Sequence, residues 1–318
     1  MKEKNSGKEF IGFFKEVSRD DTARAGGKGA QLGEMFNAGF PVPDGFVVLT
    51  AAFDEATYDN HINERIYHLI EKVDADNTES LNAAAKSIQG MILKAGVPAG
   101  VGKAIKQAFK RLDAGFVAVR SSATAEDASQ ASWAGELDTY TNIQEKNLML
   151  AIKRCWASLF SPRAIIYRIE KKFRHEEISV AVVVQRMVNS EVSGVVFTKH
   201  PVTNDNKKIL IEAGYGLGES VVSGKITPDS YVFDKETGLI EEIKIGRQNT
   251  VILKSKGKTI EKKLGKKLQE KQKLSGKQII ELSEICKKIE THYQCPQDIE
   301  WGFEKGRFYI LQTRPITT

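Results

Sequence analysis

Five stretches rich in β-branched residues, each bounded by turn formers, read as strands: FVVLT at 46–50, FVAVR at 116–120, SVAVVVQ at 179–185, VSGVVFT at 192–198 and KILIEA at 208–213. Between and after them, apolar positions recur at three- and four-residue spacing over 30–38, 81–95, 148–159 and 278–293, which predicts helices. In the last of these, Ile279, Leu282, Ile285 and Ile289 fall on one helical face. Strand and helix signals that intermingle in this way predict an α+β fold. Neither a repeat nor a coiled-coil heptad interrupts the pattern, and two lobes are expected, 1–190 and 191–318.

Near the end of the chain the period changes to two. QDIEWGF (297–303) and RFYILQT (307–313) flank Glu304-Lys305-Gly306, which predicts an antiparallel hairpin. A turn centred on Lys305 sets Asp298 opposite Gln312 and Glu300 opposite Ile310. Alternation then gathers Asp298, Glu300, Gln312 and Arg314 on one face. Two carboxylates, an amide oxygen and a guanidinium are costly to bury together, and a hard divalent ion with phosphate oxygens satisfies both signs.

Composition refines this picture. Hydrophobic residues at 41% and charged residues at 28% belong to a globular chain and exclude wholesale disorder. A net charge of +6 suggests a polyanionic partner, but ten lysines against two glutamates between Lys254 and Lys277 hold +8 of it, leaving the rest near −2. This ribbon, set where surface loops are tolerated, is expected to serve solubility or docking. No aromatic residue interleaves with it, so nucleic acid is not an expected partner. No run approaches the ~18 apolar residues of a membrane helix and no export signal is visible, so neither membrane insertion nor secretion is expected. Cys155, Cys286 and Cys295 form no CxxC pair, which fits reduced thiols and a cytoplasmic setting. Cys155 and Trp156 read as core residues.

Two glycine- and serine-rich stretches carry candidate chemistry. Gly26-Gly27-Lys28-Gly29 precedes a predicted helix, and an anion there would meet backbone N–H groups, the helix dipole and the Lys28 ammonium. It satisfies neither the P-loop nor the dinucleotide fingerprint. Arg120, leaving the strand 116–120, enters a small-residue segment that ends at Trp133-Ala134-Gly135 and has the composition of a lid over phosphates.

The blocks GGKGAQLGEM, PVPDGFVV, AVRSSATAEDASQASWAGELDTY, VVFTKHPVT, EAGYGLGESVVSGKITPD and PQDIEWGFEKGRFYILQTRPIT follow one another from residue 25 to 317. In that order they resemble the nucleotide-binding part of the phosphoenolpyruvate synthase family, which includes pyruvate phosphate dikinase and rifampicin phosphotransferase. The resemblance implies an ATP-grasp fold of two lobes with ATP bound between them, and Mg²⁺ as cofactor. It also implies an AMP-forming phosphotransferase, in which the β-phosphoryl group of ATP passes to a histidine on a swivelling carrier domain and the γ-phosphate leaves to water. By the same resemblance Lys28, Arg120 and Arg314 contact phosphates, Gly135, Thr139 and Tyr140 belong to the lid, and Gln185 meets adenine beside Met187 and Val188. Glu300 and Gln312 are implied as the metal ligands, with Asp298 and Arg314 completing their face.

None of His61, His68, His175, His200 and His292 sits in the threonine-serine-histidine context of the family's carrier histidine, and His200 reads as a loop residue bonded to backbone. The carrier domain and the acceptor-binding domain are therefore expected in trans or in a longer parent chain. Pyruvate is the first acceptor implied. A rifampicin-type hydroxyl, or an ATP-binding regulatory module without turnover, is the alternative.

Overall fold

The computed structural model describes residues 9–124, 138–170, 178–255 and 258–316. It is α+β and divides into two compact units, Met1–Glu34 with Asp44–Met187, and Met35–Pro43 with Val188–Thr318. The division differs from the single cut near residue 190 that the sequence suggests, because residues 35–43 belong with the second unit. There Pro41 accepts a hydrogen bond from the Ile310 amide at 2.9 Å.

The first unit contains, in chain order, β1 (Ile11–Phe13), α1 (Thr22–Asn37, to Glu34), β2 (Gly45–Val48), α2 (Thr50–Asp59), α3 (Ile62–Glu71), α4 (Thr78–Lys94), α5 (Ala99–Leu112), β3 (Val117–Ala123), β4 (Thr139–Ile143), α6 (Glu145–Ser158), α7 (Pro162–Glu170) and β5 (Val180–Arg186). Its five strands form one antiparallel sheet in the order β1-β2-β5-β3-β4. Phe46, Val48, Val117, Val119, Val180, Val182 and Val184 face one side and join Trp156, Phe160 and the apolar faces of α2 to α7 in a single core. Burying both faces of β2 and β5 explains why their sequences read as nearly continuous apolar runs. The apolar spacing of the sequence does not predict helices α2, α3, α5 and α7.

The second unit contains β6 (Val192–Phe197), β7 (Lys208–Tyr215), α8 (Glu219–Val222), β8 (Asp229–Asp234), β9 (Ile240–Lys244), β10 (Thr250–Ser255), β11 (Lys258–Lys263), α9 (Lys266–Gln269), α10 (Gly276–Tyr293), β12 (Gln297–Glu304) and β13 (Arg307–Pro315). Six strands form an antiparallel sheet, β13-β12-β6-β7-β8-β9, on which α10 packs. The lysine ribbon is not a loop. It folds as the β10–β11 hairpin, then α9, with Lys262, Lys263, Lys266 and Lys267 exposed. Lys273 departs from them, since its ammonium is fully buried, 2.7 Å from Asp229 Oδ1 and 2.7 Å from the Gly246 carbonyl. Asp229 also accepts from Tyr231 Oη, Gly246 N and Lys273 N. Among the described residues, no helix is long and apolar enough to cross a membrane.

Because breaking a buried pair strands its partner in a medium of low dielectric, Lys273→Met is expected to cost about 3–5 kcal/mol of stability. Chemical denaturation of the variant against the parent chain measures it, and a loss under 1 kcal/mol would contradict this account.

Candidate functional site

The glycine cluster lies inside α1 rather than before it. Gly26 takes φ +67° and ψ 169°, a left-handed-side conformation that breaks the helix and starts a second segment at Gly27. The break is enforced by close packing on β3, since a Cβ on Gly26 would lie 2.2 Å from the Ser122 carbonyl oxygen. Lys28 therefore occupies the first turn of a helix segment, where the unsatisfied amides and the dipole favour an anion.

Strand alternation decides what shares its surroundings. Val119 faces the helical core, so Arg120 and Ser122 face the opposite side of β3, the side on which α1 packs. Arg120 is directly paired with Val183 of β5 and Thr139 of β4, so Thr139 shares its face. Gln185 of β5 pairs with Ala118 and also lies on this face, 2% exposed. Lys28, Arg120, Thr139 and Gln185 are thus gathered on one side of the sheet. Tyr140 is not. It packs against the helical core and donates to Asp138 Oδ2 at 2.5 Å, and burial, reinforced by this bond, holds its phenol well above the ordinary range. Gly135 lies outside the described residues, as do Trp133 and His175. Met187 closes the first unit, its amide donating to Phe116 O at 3.1 Å, whereas Val188 opens the second and is 6% exposed.

In the second unit the hairpin forms with a different register. Asp298 pairs with Arg314 and Glu300 with Gln312, not Asp298 with Gln312 and Glu300 with Ile310. Two features each shift the register by one. The turn has two residues, Lys305 and Gly306, both at positive φ (50° and 78°), and Leu311 is an extra residue in a bulge next to Glu300. A shift of two preserves the face, so the four side chains stay together.

Arg314 Nε and Nη2 lie 2.8 and 2.7 Å from Asp298 Oδ2. Burial pushes the Asp298 carboxyl up, and Arg314 offsets this only in part. Gln312 Oε1 is buried and has no hydrogen-bond partner among the described residues, an open acceptor directly across from Glu300. Val195 of β6 pairs with both Glu300 and Glu212, so a row Gln312, Glu300, Val195, Glu212 runs over four strands on one face. Glu212, whose carboxyl burial also raises, was not singled out from the sequence, although its period-two position in KILIEA places it opposite the apolar Ile211.

Of the remaining residues, His200 Nδ1 accepts from the amides of Val202 and Thr203 at 3.3 and 3.2 Å, a backbone-bonded loop residue as expected. Cys155 and Cys286 are buried free thiols, Cys155 Sγ donating to the Asp138 carbonyl at 4.0 Å, and burial raises both thiols.

The sequence matches the pyruvate phosphate dikinase, AMP/ATP-binding domain family over residues 22–318. The chain belongs to this family. Within it, a probable phosphoenolpyruvate synthase of Archaeoglobus fulgidus is 47% identical, covering 96% of this chain and 41% of that protein. One of Methanothermobacter thermautotrophicus is 43% identical over 98% of this chain and 46% of its own length. A rifampicin phosphotransferase of Bacillus cereus is 38% identical over 97% and 36%. The AMP/ATP-binding domain thus spans less than half the length of these relatives. A solved D-alanyl-alanine synthetase A from Vibrio cholerae overlaps with a TM-score of 0.29 at 13% identity over 69% of this chain and 47% of that one, too slight a likeness to argue from.

At Gly26 a methyl group meets both an unfavourable φ and a backbone oxygen, so Gly26→Ala is expected to destabilise the AMP/ATP-binding domain by about 3 kcal/mol. Thermal unfolding checks this, and an unchanged midpoint would disprove the close approach.

Proposed function

We propose that the chain binds ATP with Mg²⁺ as the nucleotide part of an AMP-forming phosphotransferase. The β-phosphoryl group would go to a carrier histidine on another domain or subunit, in the formation of phosphoenolpyruvate from pyruvate. What supports the reading best is that family membership over residues 22–318 coincides with two polar sheet faces. One carries Arg120, Thr139 and Gln185, with Lys28 on the helix packed against it, and the other Asp298, Glu300, Gln312 and Arg314. A five-stranded antiparallel sheet in the first unit and a six-stranded one in the second agree with the ATP-grasp architecture that the resemblance implies.

Phosphoryl transfer asks for positioning and charge neutralisation more than for covalent help from side chains. Lys28 brings a point charge at a helix start, and Arg120 a planar fork suited to two phosphate oxygens. Arg314 is held in place by Asp298. Gln185 offers both an acceptor and donors to the adenine edge, flanked by Met187 and Val188. Glu300 and Gln312 would hold Mg²⁺, and the open Oε1 of Gln312 fits that role. Bound there, the ion would supply neutralisation of phosphate charge. Identities of 47% and 43% to probable phosphoenolpyruvate synthases favour pyruvate, and 38% to a rifampicin phosphotransferase makes an antibiotic hydroxyl the second acceptor to test.

ATP labelled at the β-phosphate, supplied with Mg²⁺ and a phosphoenolpyruvate synthase carrier domain in trans, is expected to leave label on a carrier histidine and to release AMP. Binding of ATP without transfer would reduce the chain to a nucleotide-binding module. Glu300→Gln is expected to lower Mg²⁺-dependent transfer on the order of 100-fold with an unchanged circular dichroism spectrum; undiminished transfer would remove Glu300 from the metal site.

A further inference from the structure

The helix segment that begins at Gly27 has no side chain of its own to cap it. Its N-cap position is Gly26, and no serine, threonine or aspartate could stand there, because φ is +67° and a Cβ would lie 2.2 Å from Ser122 O. The capping hydroxyl comes instead from across the fold. Ser122 Oγ accepts from the Gly29 amide at 3.1 Å, the third position of the segment, and donates to the Ala25 carbonyl at 2.9 Å, the last carbonyl before the break. These bonds span 93 and 97 residues of sequence and are fully buried, with Ser122 itself 0% exposed. One hydroxyl thus closes both sides of the kink.

We propose that Ser122 is a positioning residue for the phosphate-contacting end of α1: it caps the helix in trans, fixing Lys28 relative to Arg120. The proposal rests on the reading that Lys28 contacts phosphate. Its geometry follows from strand alternation. Arg120 and Ser122 stand two residues apart on the same face of β3, so the strand that presents one phosphate cation also clamps the turn that presents the other. A cap supplied by residue 26 itself would anchor the helix only to its own chain, whereas Ser122 ties it to β3. Without the hydroxyl, the Gly29 amide and the Ala25 carbonyl lose their buried partner and the kink is free to adjust.

Calorimetric titration of the whole chain with ATP and, separately, with adenosine distinguishes positioning from general damage. Ser122→Ala is expected to reduce the ratio of ATP to adenosine affinity roughly tenfold, the size of a lost cap, with adenosine affinity unchanged. Hydrogen exchange at the Gly29 amide is expected to accelerate. Ser122→Cys, which keeps the shape but accepts weakly, gives the same direction and serves if the alanine variant does not fold. Lys28→Ala is titrated in parallel. If Lys28→Ala lowers the ratio and the Ser122 variants do not, the positioning role is overturned and the reading of Lys28 stands. If Lys28→Ala leaves the ratio unchanged, the reading of Lys28 fails and the proposal fails with it. Equal loss of ATP and adenosine affinity in the Ser122 variants would mark a purely structural serine and overturn the proposal.

Discussion

At Gly26 the first helix comes within touching distance of β3, backbone against backbone, and much of the first unit is arranged around that approach. A side chain cannot be fitted there, the φ angle is one that glycine tolerates best, and the helix restarts at the following residue. Restarting the helix brings Lys28 into its first turn. The same contact surface along β3 carries Arg120, and on the next strand Gln185. The opposite face of the sheet is occupied by the helical core, so polar side chains have only one side on which to collect.

The second unit reaches a comparable result through alternation across strands. Ile299, Val196, Ile211 and Tyr231 form a fully buried row, and the residues between them, Glu300, Val195, Glu212 and Ser230, turn to the other, half-buried face. Backbone pairing places a carboxylate, an amide oxygen and a second carboxylate there. The bulge at Leu311 keeps Gln312 on this face while the turn sets the strand lengths. Asp298 and Arg314 extend the same face by one pair.

The positive charge of the chain plays a different part from the one its total suggests. The exposed lysines of β11 and α9 are solvated, and Lys273, in the same segment, is buried against Asp229 and joins the segment before α10 to β8. The cations proposed to meet phosphate are three residues far apart in sequence, Lys28, Arg120 and Arg314. Net charge does not point to them; the family resemblance does.

The sequence by itself determined what depends on local chemistry and short periods. The five strand runs, the amphipathic α10, the hairpin over 297–313 and the common face of Asp298, Glu300, Gln312 and Arg314 were all legible, since a face depends only on parity. The six ordered blocks carried the family, and with it the proposed site residues. Tertiary structure alone decided the rest. The register of the hairpin depends on a bulge that neither strand signals. The kink at Gly26 and its cap by Ser122 depend on a contact across more than ninety residues. The opposite facing of Thr139 and Tyr140 follows from a pairing with β3 that their own neighbourhood does not specify. Burial of Lys273 needed a partner 44 residues away. In each case the energy that fixes the feature comes from burying or pairing groups distant along the chain, which a local pattern cannot encode.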